Sequence, residues 1–369
     1  YHSMESNLLK LDMLGHDDPT MIRMLEDLTG VNARTDIDLD DPDTMSLFTT
    51  SEKLGFVNDP ILGPTGAVAI PEFNTKFTRG MLMDTMPVQF NTLVRLSGFS
   101  HGTDVWLGNA RDLIVNKVAT VDSTVGCRDD IMLYLMQCGL EPKMAFKIME
   151  AVRKGKVKKS GFEPGWEDAM RSHGVPDWYI GSLAKIGYLF PKAHAVAYVM
   201  MAFRIAWFKV HRPLAFYAAF FSIRAKAFDA TIMCRGMDLV KAKLKEIGDK
   251  IEEKTATDVE KDTYTTLEVV YEFYLRGLTF HPLDVYRSAA TVFTLDGDDA
   301  LLPPFTAVPG LGESAAENIV EQRKGREFIS IEEFSDACPK VSKTHIEQLK
   351  AAGAFDDLPE TSQITLFQF

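Results

Sequence analysis

Residues 188–222 read YLFPKAHAVAYVMMAFRIAWFKVHRPLAFYAAFFS. From Ala193 onward the stretch is rich in Ala, Met and aromatics and has no Gly, so it predicts one long helix until Pro213 interrupts it. Phe190 precedes Pro191 and must be extended, which makes a stiff lead-in to that helix. Ala193 to Phe203 is free of formal charge, so a membrane span has to be tested first. Arg204, Lys209, His211 and Arg212 follow in one short run, too costly to place in lipid without partners. The stretch therefore reads as a buried helix of a soluble protein. At about 100° per residue, His194, Tyr198 and Lys209 fall within about 60° of one another. With Lys192 just upstream, such a face suits a phosphorylated ligand. The same pattern suits a core helix with a satisfied His and a Lys whose stem is buried and whose head reaches water.

The chain has 369 residues, enough for two or three domains, with 46% hydrophobic and 25% charged residues. A net charge of −12 argues mildly against nucleic-acid binding, because phosphate contacts need cations. Distribution matters more than the sum: Arg153, Lys154, Lys156, Lys158 and Lys159 cluster, whereas Asp36 to Asp43 is acidic. Cys127, Cys138, Cys234 and Cys338 show no CxxC spacing, which fits reduced cytosolic thiols and gives no zinc signal. No signal peptide is visible, and the opening YHSMESNLLKLD reads as the middle of an element, as in a fragment.

Several local patterns carry chemistry. Leu8 to Leu14 alternates as a strand, with Asp12 near its end, a place for a metal ligand or a strand-end hydrogen bond. Asp18-Pro19 and Asp41-Pro42 are helix starts, with Gly30 ending the first helix. Asp36 and Asp38 read as turn and cap residues. Residues 77–86 are helical by pattern. SGFSHGTDVWLGNA, from Ser97, reads as a polar loop whose Ser100 and His101 line a ligand site or merely cap a helix. At GCRDD, Gly126 permits close backbone approach. Arg128 there suits either triphosphate oxygens or a salt bridge to Asp129 or Asp130. Tyr188 offers a ring for stacking or for packing beside Phe190. Asp238 to Lys261 and Thr265 to Leu275 read as helices, and Ala290 to Leu295 as a strand before an Asp296-Gly297 turn. LLPPFTAVPGLGESAAENIVEQRKG places Gly310 and Gly312 in a tight hairpin before a helix.

The string FPKAHAVAYVMMAFRIAWFKVH resembles the end of the fingers of bacterial replicative DNA polymerases, the C-family alpha subunits. LLKLDMLGHDDPT, SGFSHGTDVWLGNA, GCRDDIM and AFKIMEAVRKGK narrow the resemblance to the PolC type of Gram-positive bacteria. It runs in order from Tyr1 to about Phe367 and implies that this chain is the last part of a larger polypeptide. The implied fold is mainly α with small β elements (α+β): helical fingers followed by a helix-hairpin-helix duplex-binding domain. Residues 1–18 would end the palm, 19–223 form the fingers and 224–358 the duplex-binding domain, with its hairpin motif at about 301–326. Residues 359–369 would be a flexible clamp-binding tail.

The resemblance implies a DNA-directed DNA polymerase that transfers a nucleotide from dNTP to a primer 3′-end. Asp12 would be the third of three carboxylates holding two magnesium ions, the first two Asp residues lying upstream of this sequence. Arg128, Tyr188, Lys192, His194, Tyr198, Ser100 and His101 would bind nucleotide. Lys154, Lys156 and Lys209 would contact DNA, as would the amides of Gly310 and Gly312, which meet phosphate without reading sequence. Gln363, Leu366 and Phe367 in QITLF resemble the short peptide that plugs into a sliding clamp. Expected partners are primer-template DNA, dNTP, the sliding clamp and the remaining N-terminal part of the polymerase, with no membrane and a bacterial cytoplasmic location. The fragment alone is expected to be inactive. The rival reading is a non-catalytic DNA-binding and clamp-tethering module.

Overall fold

The chain is described by a computed structural model that covers residues 15–355 and 358–362. It is mainly helical, with one small sheet in which β1 (Thr279–Phe280) runs parallel to β3 (Ala300–Leu302) and β2 (Thr294–Leu295) runs antiparallel to it. The expected strand from Ala290 shrinks to two residues, although Gly297 does make the turn, at φ +83°.

The long helix forms as its sequence demands. It spans Lys192–His211, follows an extended Pro191 and stops at Arg212, whose φ of −142° and ψ of 59° are not helical. Pro213 then takes the first position of the Pro213–Ile223 helix, where its missing N–H leaves no bond unmade. The long helix lies against the Phe90–His101, Asp18–Thr29 and Pro42–Ser46 helices and folds back onto Pro213–Ile223. Ala195, Val199, Ala202, Phe203, Ala206 and Phe208 fill the contacts. Each large apolar side chain so buried contributes about 1.5–3 kcal/mol. This helix is long and apolar enough to cross a membrane, but Ala195, Val199, Ala202, Phe203, Ile205, Ala206, Phe208 and Lys209 along it are buried inside the protein.

Lys209 corrects the sequence reading. It shares its azimuth with His194 and Tyr198, yet it is 0% exposed and meets no outside phosphate. Its ammonium donates to the carbonyls of Gly66 (2.8 Å) and Val68 (2.6 Å) and pairs with Glu272 at 2.7 Å. Azimuth fixes direction around a helix, not depth along it. Four turns on from His194, the 66–68 loop and the Asp258–Leu275 helix cover that face. The latter helix presents Glu268 to Arg79 (2.9 Å), Tyr271 to Asp59 (2.9 Å) and Glu272 to both Lys209 and Tyr217 (2.7 Å). A buried polar seam thus ties residues 258–275 to the 59–79 segment.

Helix ends mostly follow local chemistry. Asp41 accepts the Thr44 amide at 2.8 Å, as the Asp-Pro signal predicts. Asp18 differs: its carboxylate caps nothing but is fully buried against Arg224 and His16. Burial pushes the Asp18 carboxyl above its ordinary pKa, partly offset by the Arg224 guanidinium. The charged run expected as one helix to Lys261 is two, Met237–Glu252 and Asp258–Leu275. A capping box between Thr257 and Glu260 starts the second.

Candidate nucleotide and nucleic-acid interface

Three segments converge on the first turns of the long helix. In the SGFSHGTDVWLGNA stretch Ser100 and His101 lie in the last turn of Phe90–His101, but Leu107 (ψ 135°) and Gly108 (φ +68°) leave helical geometry, and regular helix resumes only at Arg111. Between them Thr103 makes a bridge to the chain before the long helix, donating to the Tyr188 carbonyl (3.0 Å) and accepting from Gly187 N (2.9 Å). From the other side Gly155, at φ +66°, presses against Gly187, where a Cβ would come within 2.4 Å of the carbonyl oxygen. Tyr188 is held by its backbone and is 41% exposed.

The third segment is the start of the Arg128–Gln137 helix. Gly126 is needed for a close approach, but to protein: a Cβ there would lie 3.0 Å from the Arg95 carbonyl oxygen. Asp130 accepts the Gly126 and Cys127 amides, each at 3.0 Å, and pairs with Arg95 at 3.1 Å. Its other oxygen lies 3.6 Å from Lys192 Nζ, while Asp129 accepts the Lys192 amide at 3.2 Å. Among the described residues Arg128 pairs with acid only at Asp129, 3.9 Å from its Nε, and its side chain is 38% exposed. The two aspartates dock the long helix and leave the Arg128 fork almost unspent.

Along the exposed side of these turns runs a row of rings. His101 stacks on Phe190 with centroids 4.8 Å apart; Phe190 meets His194 at 6.0 Å, and His194 meets Tyr198 at 6.4 Å. Tyr198 meets His16 at 5.2 Å. His101 is fixed at both nitrogens. Nδ1 sits 2.8 Å from the Ser97 carbonyl, which only accepts, so Nδ1 carries the hydrogen, and Nε2 lies 3.3 Å from Glu72. Ser100 also bonds the Ser97 carbonyl, at 3.0 Å. Phe190, His16 and Glu72 were not among the expected site residues. His194 and Tyr198 stand four apart on the helix, a face readable from sequence; Phe190 precedes the helix, and His16 and Glu72 arrive from distant segments, so none of these three carries that signal.

The lysines divide. Glu150 is bound by Arg153 (2.7 Å) and Lys154 (2.8 Å), which holds its carboxyl down to about 2. Lys158 is taken by Asp104 at 2.6 Å, while Lys156 is exposed and without an ion pair among the described residues. Burial pushes the Cys127 thiol up to about 12 and Cys338 to about 11, so neither is a ready nucleophile or metal ligand. Among the described residues no group of three His, Cys, Asp or Glu fits a metal ion. Asp12, Gln363, Leu366 and Phe367 lie outside the described residues.

In the second half, Val308 and Leu311 anchor a hairpin in the core, and Gly310 takes the left-handed conformation at φ +79°. Gly312 caps the Glu313–Gln322 helix from an extended backbone. Neither glycine amide donates to a protein acceptor among the described residues. Lys340, from the turn before the Lys343–Ala351 helix, reaches Ser314 at 2.9 Å. Gly310→Ala is expected to cost about 1–2 kcal/mol, since its conformation disfavours a Cβ and His345 Nε2 would stand 3.3 Å away. Gly312→Ala, in ordinary backbone with open space beside it, should stay within about 0.5 kcal/mol. Thermal unfolding of the two variants distinguishes them; equal losses would refute the conformational argument.

Known proteins place these features together. Residues 18–174 match the bacterial DNA polymerase III alpha subunit finger domain, and residues 277–364 match a helix-hairpin-helix motif. The whole chain is 52% identical to the DNA polymerase III PolC-type of Streptococcus thermophilus, and 53% to those of Streptococcus mutans and Streptococcus agalactiae. It spans 25% of the length of each of these relatives. With finger domain and hairpin motif in order, on a sequence alike throughout its length, this chain belongs to the PolC-type family of bacterial DNA polymerase III.

Proposed function

We propose that this chain supplies the fingers and the duplex-holding part of a replicative DNA-directed DNA polymerase. In the reaction the primer 3′-oxygen bonds to the α-phosphorus of a dNTP, the bond from that phosphorus to the β-phosphate oxygen breaks, and pyrophosphate leaves. The observation that carries the reading is the row of rings from His101 to Tyr198, flanked by Arg128 and Lys192, on the rigid start of the long helix. Rings accept any base by its π-face, which a polymerase handling four nucleotides requires. Tyr188 lies beside them for the nascent base pair. Arg128 grips phosphate oxygens with its planar fork, and Lys192 adds a point charge. His101 begins the row with Ser100 beside it, and Tyr198 ends it.

Residues 19–223 form the fingers in this reading, and residues 224–358 hold the duplex. The hairpin offers the Gly310 and Gly312 amides and the start of the Glu313–Gln322 helix to a backbone phosphate. Lys154 and Lys156 lie nearer the template, Lys156 with the freer charge. Asp12 is proposed to hold magnesium together with two carboxylates from outside this sequence, where the metal would activate the primer hydroxyl. The described residues bind and orient. Gln363, Leu366 and Phe367 are proposed to engage the sliding clamp, and the bacterial cytoplasm is the location.

His194→Ala in the full-length polymerase tests the reading. Loss of a stacking ring worth about 1–3 kcal/mol should raise KM for all four dNTPs alike, by roughly 5- to 150-fold. Duplex affinity should stay within about twofold. A loss of duplex affinity with unchanged nucleotide kinetics would overturn the assignment of this face to the nucleotide.

A further inference from the structure

Where the Asp18–Thr29 helix begins, beside the last ring of the row, a buried carboxylate holds an imidazole. Asp18 is 0% exposed, and its two oxygens are taken separately. Oδ1 pairs with Arg224, at the end of the Pro213–Ile223 helix, and Oδ2 lies 2.9 Å from His16 Nδ1. Among the described residues no other polar side-chain atom reaches Oδ2. A carboxylate oxygen only accepts, so this contact requires the hydrogen on Nδ1. The Asp18 amide stands 3.4 Å from the same nitrogen, the longer and weaker of the two approaches. Neutral His16 therefore carries its lone pair on Nε2, which meets no partner among the described residues. The side chain is 31% exposed, and its ring lies 5.2 Å from that of Tyr198.

Asp18 caps no helix, and burying a carboxylate is unfavourable unless its partners offset the lost water. What it does accomplish is to fix the tautomer and orientation of His16 and to favour the imidazolium once a proton arrives. Position then separates the two ends of the reaction. Tyr198 stands six residues beyond Lys192 on the long helix, about 9 Å of rise, so His16 is well apart from the cations assigned to the triphosphate. His16 also follows Asp12 by four residues, which keeps their Cα atoms within about 14 Å of each other. In an in-line transfer the attacking and leaving oxygens occupy opposite sides of the phosphorus. With Arg128 and Lys192 on the leaving side, His16 falls on the attacking side.

We infer that His16 Nε2 is the base that takes the proton of the primer 3′-hydroxyl, with Asp18 as its positioning residue; the inference rests on the polymerase reading above. The hydroxyl hydrogen passes to Nε2 as the 3′-oxygen bonds to the α-phosphorus. The bond from that phosphorus to the β-phosphate oxygen breaks, and pyrophosphate leaves with the electron pair. The imidazolium faces the Asp18 carboxylate through its Nδ1–H and returns its extra proton to water before the next addition. The other charged or titratable groups around the pair are Arg224, Glu72 and Asp17, with Tyr198 and, beyond it, His194 on the long helix.

The test is single-turnover incorporation by the full-length polymerase at saturating dNTP, followed from about pH 6 to pH 9. The wild-type rate should climb as the imidazole loses its proton and then level off. His16→Ala should lower the maximal rate by about 100- to 10,000-fold and abolish that climb, with apparent dNTP and duplex affinities within about twofold. Added imidazole should restore part of the rate. Asp18→Asn should also slow the reaction, and the double variant should be no slower than His16→Ala, because Asp18 acts through His16. His16 lies on the surface and outside any helix, so its removal leaves the core intact and the thermal midpoint nearly unchanged. The inference is overturned if His16→Ala stays within about threefold of the wild-type rate. It is equally overturned if the rate falls but the climb with pH persists and imidazole restores nothing, since His16 would then be structural. Failure of the polymerase reading itself looks different: the wild type would incorporate no nucleotide, or His194→Ala would leave nucleotide kinetics unchanged.

Discussion

Lys209→Met will lower stability by about 3–5 kcal/mol, the cost of stranding one partner of a buried ion pair. Glu272 keeps only the Tyr217 hydroxyl (2.7 Å) in place of an ammonium at 2.7 Å, and the Gly66 and Val68 carbonyls lose their donor altogether. Lys209→Met/Glu272→Leu should recover a large part of the loss, because two apolar groups need no partner. Two opposed effects act on the pair: contacts with Glu272 favour the charged lysine, and complete burial disfavours it. Burial wins, bringing the Lys209 pKa from 10.5 down to about 8. Below pH 8 both folded and unfolded chains carry this proton, and the cost of burying the charge is present in full. Between about 8 and 10.5 the unfolded chain binds the proton and the folded one does not, so this group makes stability rise with pH. Denaturant titrations at pH 7, 9 and 10 should show that rise in the wild type and not in Lys209→Met. Equal slopes would mean that Lys209 titrates normally.

Some local signals decide the structure and others do not: Asp41 caps its helix, whereas Asp18 does not and the strand expected from Ala290 is only two residues long. The long helix, its break at Pro213, the Asp41 cap and the tight hairpin at Gly310 all depend on residues within a turn of one another. The Thr257–Glu260 capping box was equally readable, and it marks the break that the charged pattern alone conceals. Long-range pairs were not readable. Arg79 meets Glu268 across 189 positions, and Lys209 meets Glu272 across 63. No periodicity encodes either. Lys209 shows the cost: a wheel projection grouped it with His194, although one residue faces solvent and the other sits in the core. The ring row falls between these cases, since His194 and Tyr198 share a visible helical spacing, whereas Phe190 precedes the helix and His101 comes from another segment, brought close by the Thr103–Tyr188 bridge.

That bridge and the aspartate pair beneath it give Arg128 its expected weight. Asp130 binds backbone amides, Arg95 and Lys192, and Asp129 binds the Lys192 amide, so the acids nearest Arg128 are already committed. A guanidinium left at 3.9 Å from a shared carboxylate loses little protein stability when removed. Its value lies in a charge-assisted grip on phosphate oxygens, strongest when charge grows on the leaving pyrophosphate. Arg128→Ala in the full-length polymerase should therefore lower kcat/KM for dNTP by about 100-fold, or about 3 kcal/mol, with the thermal midpoint and duplex affinity nearly unchanged. Arg128→Lys should recover only part, because a point charge cannot replace the fork. Single-turnover incorporation separates binding from chemistry: a loss confined to apparent dNTP affinity means Arg128 holds the ground state, whereas a loss in the maximal rate means it acts on the leaving group. A variant that melts early yet incorporates normally would make Arg128 a structural partner of Asp129 and remove it from the site.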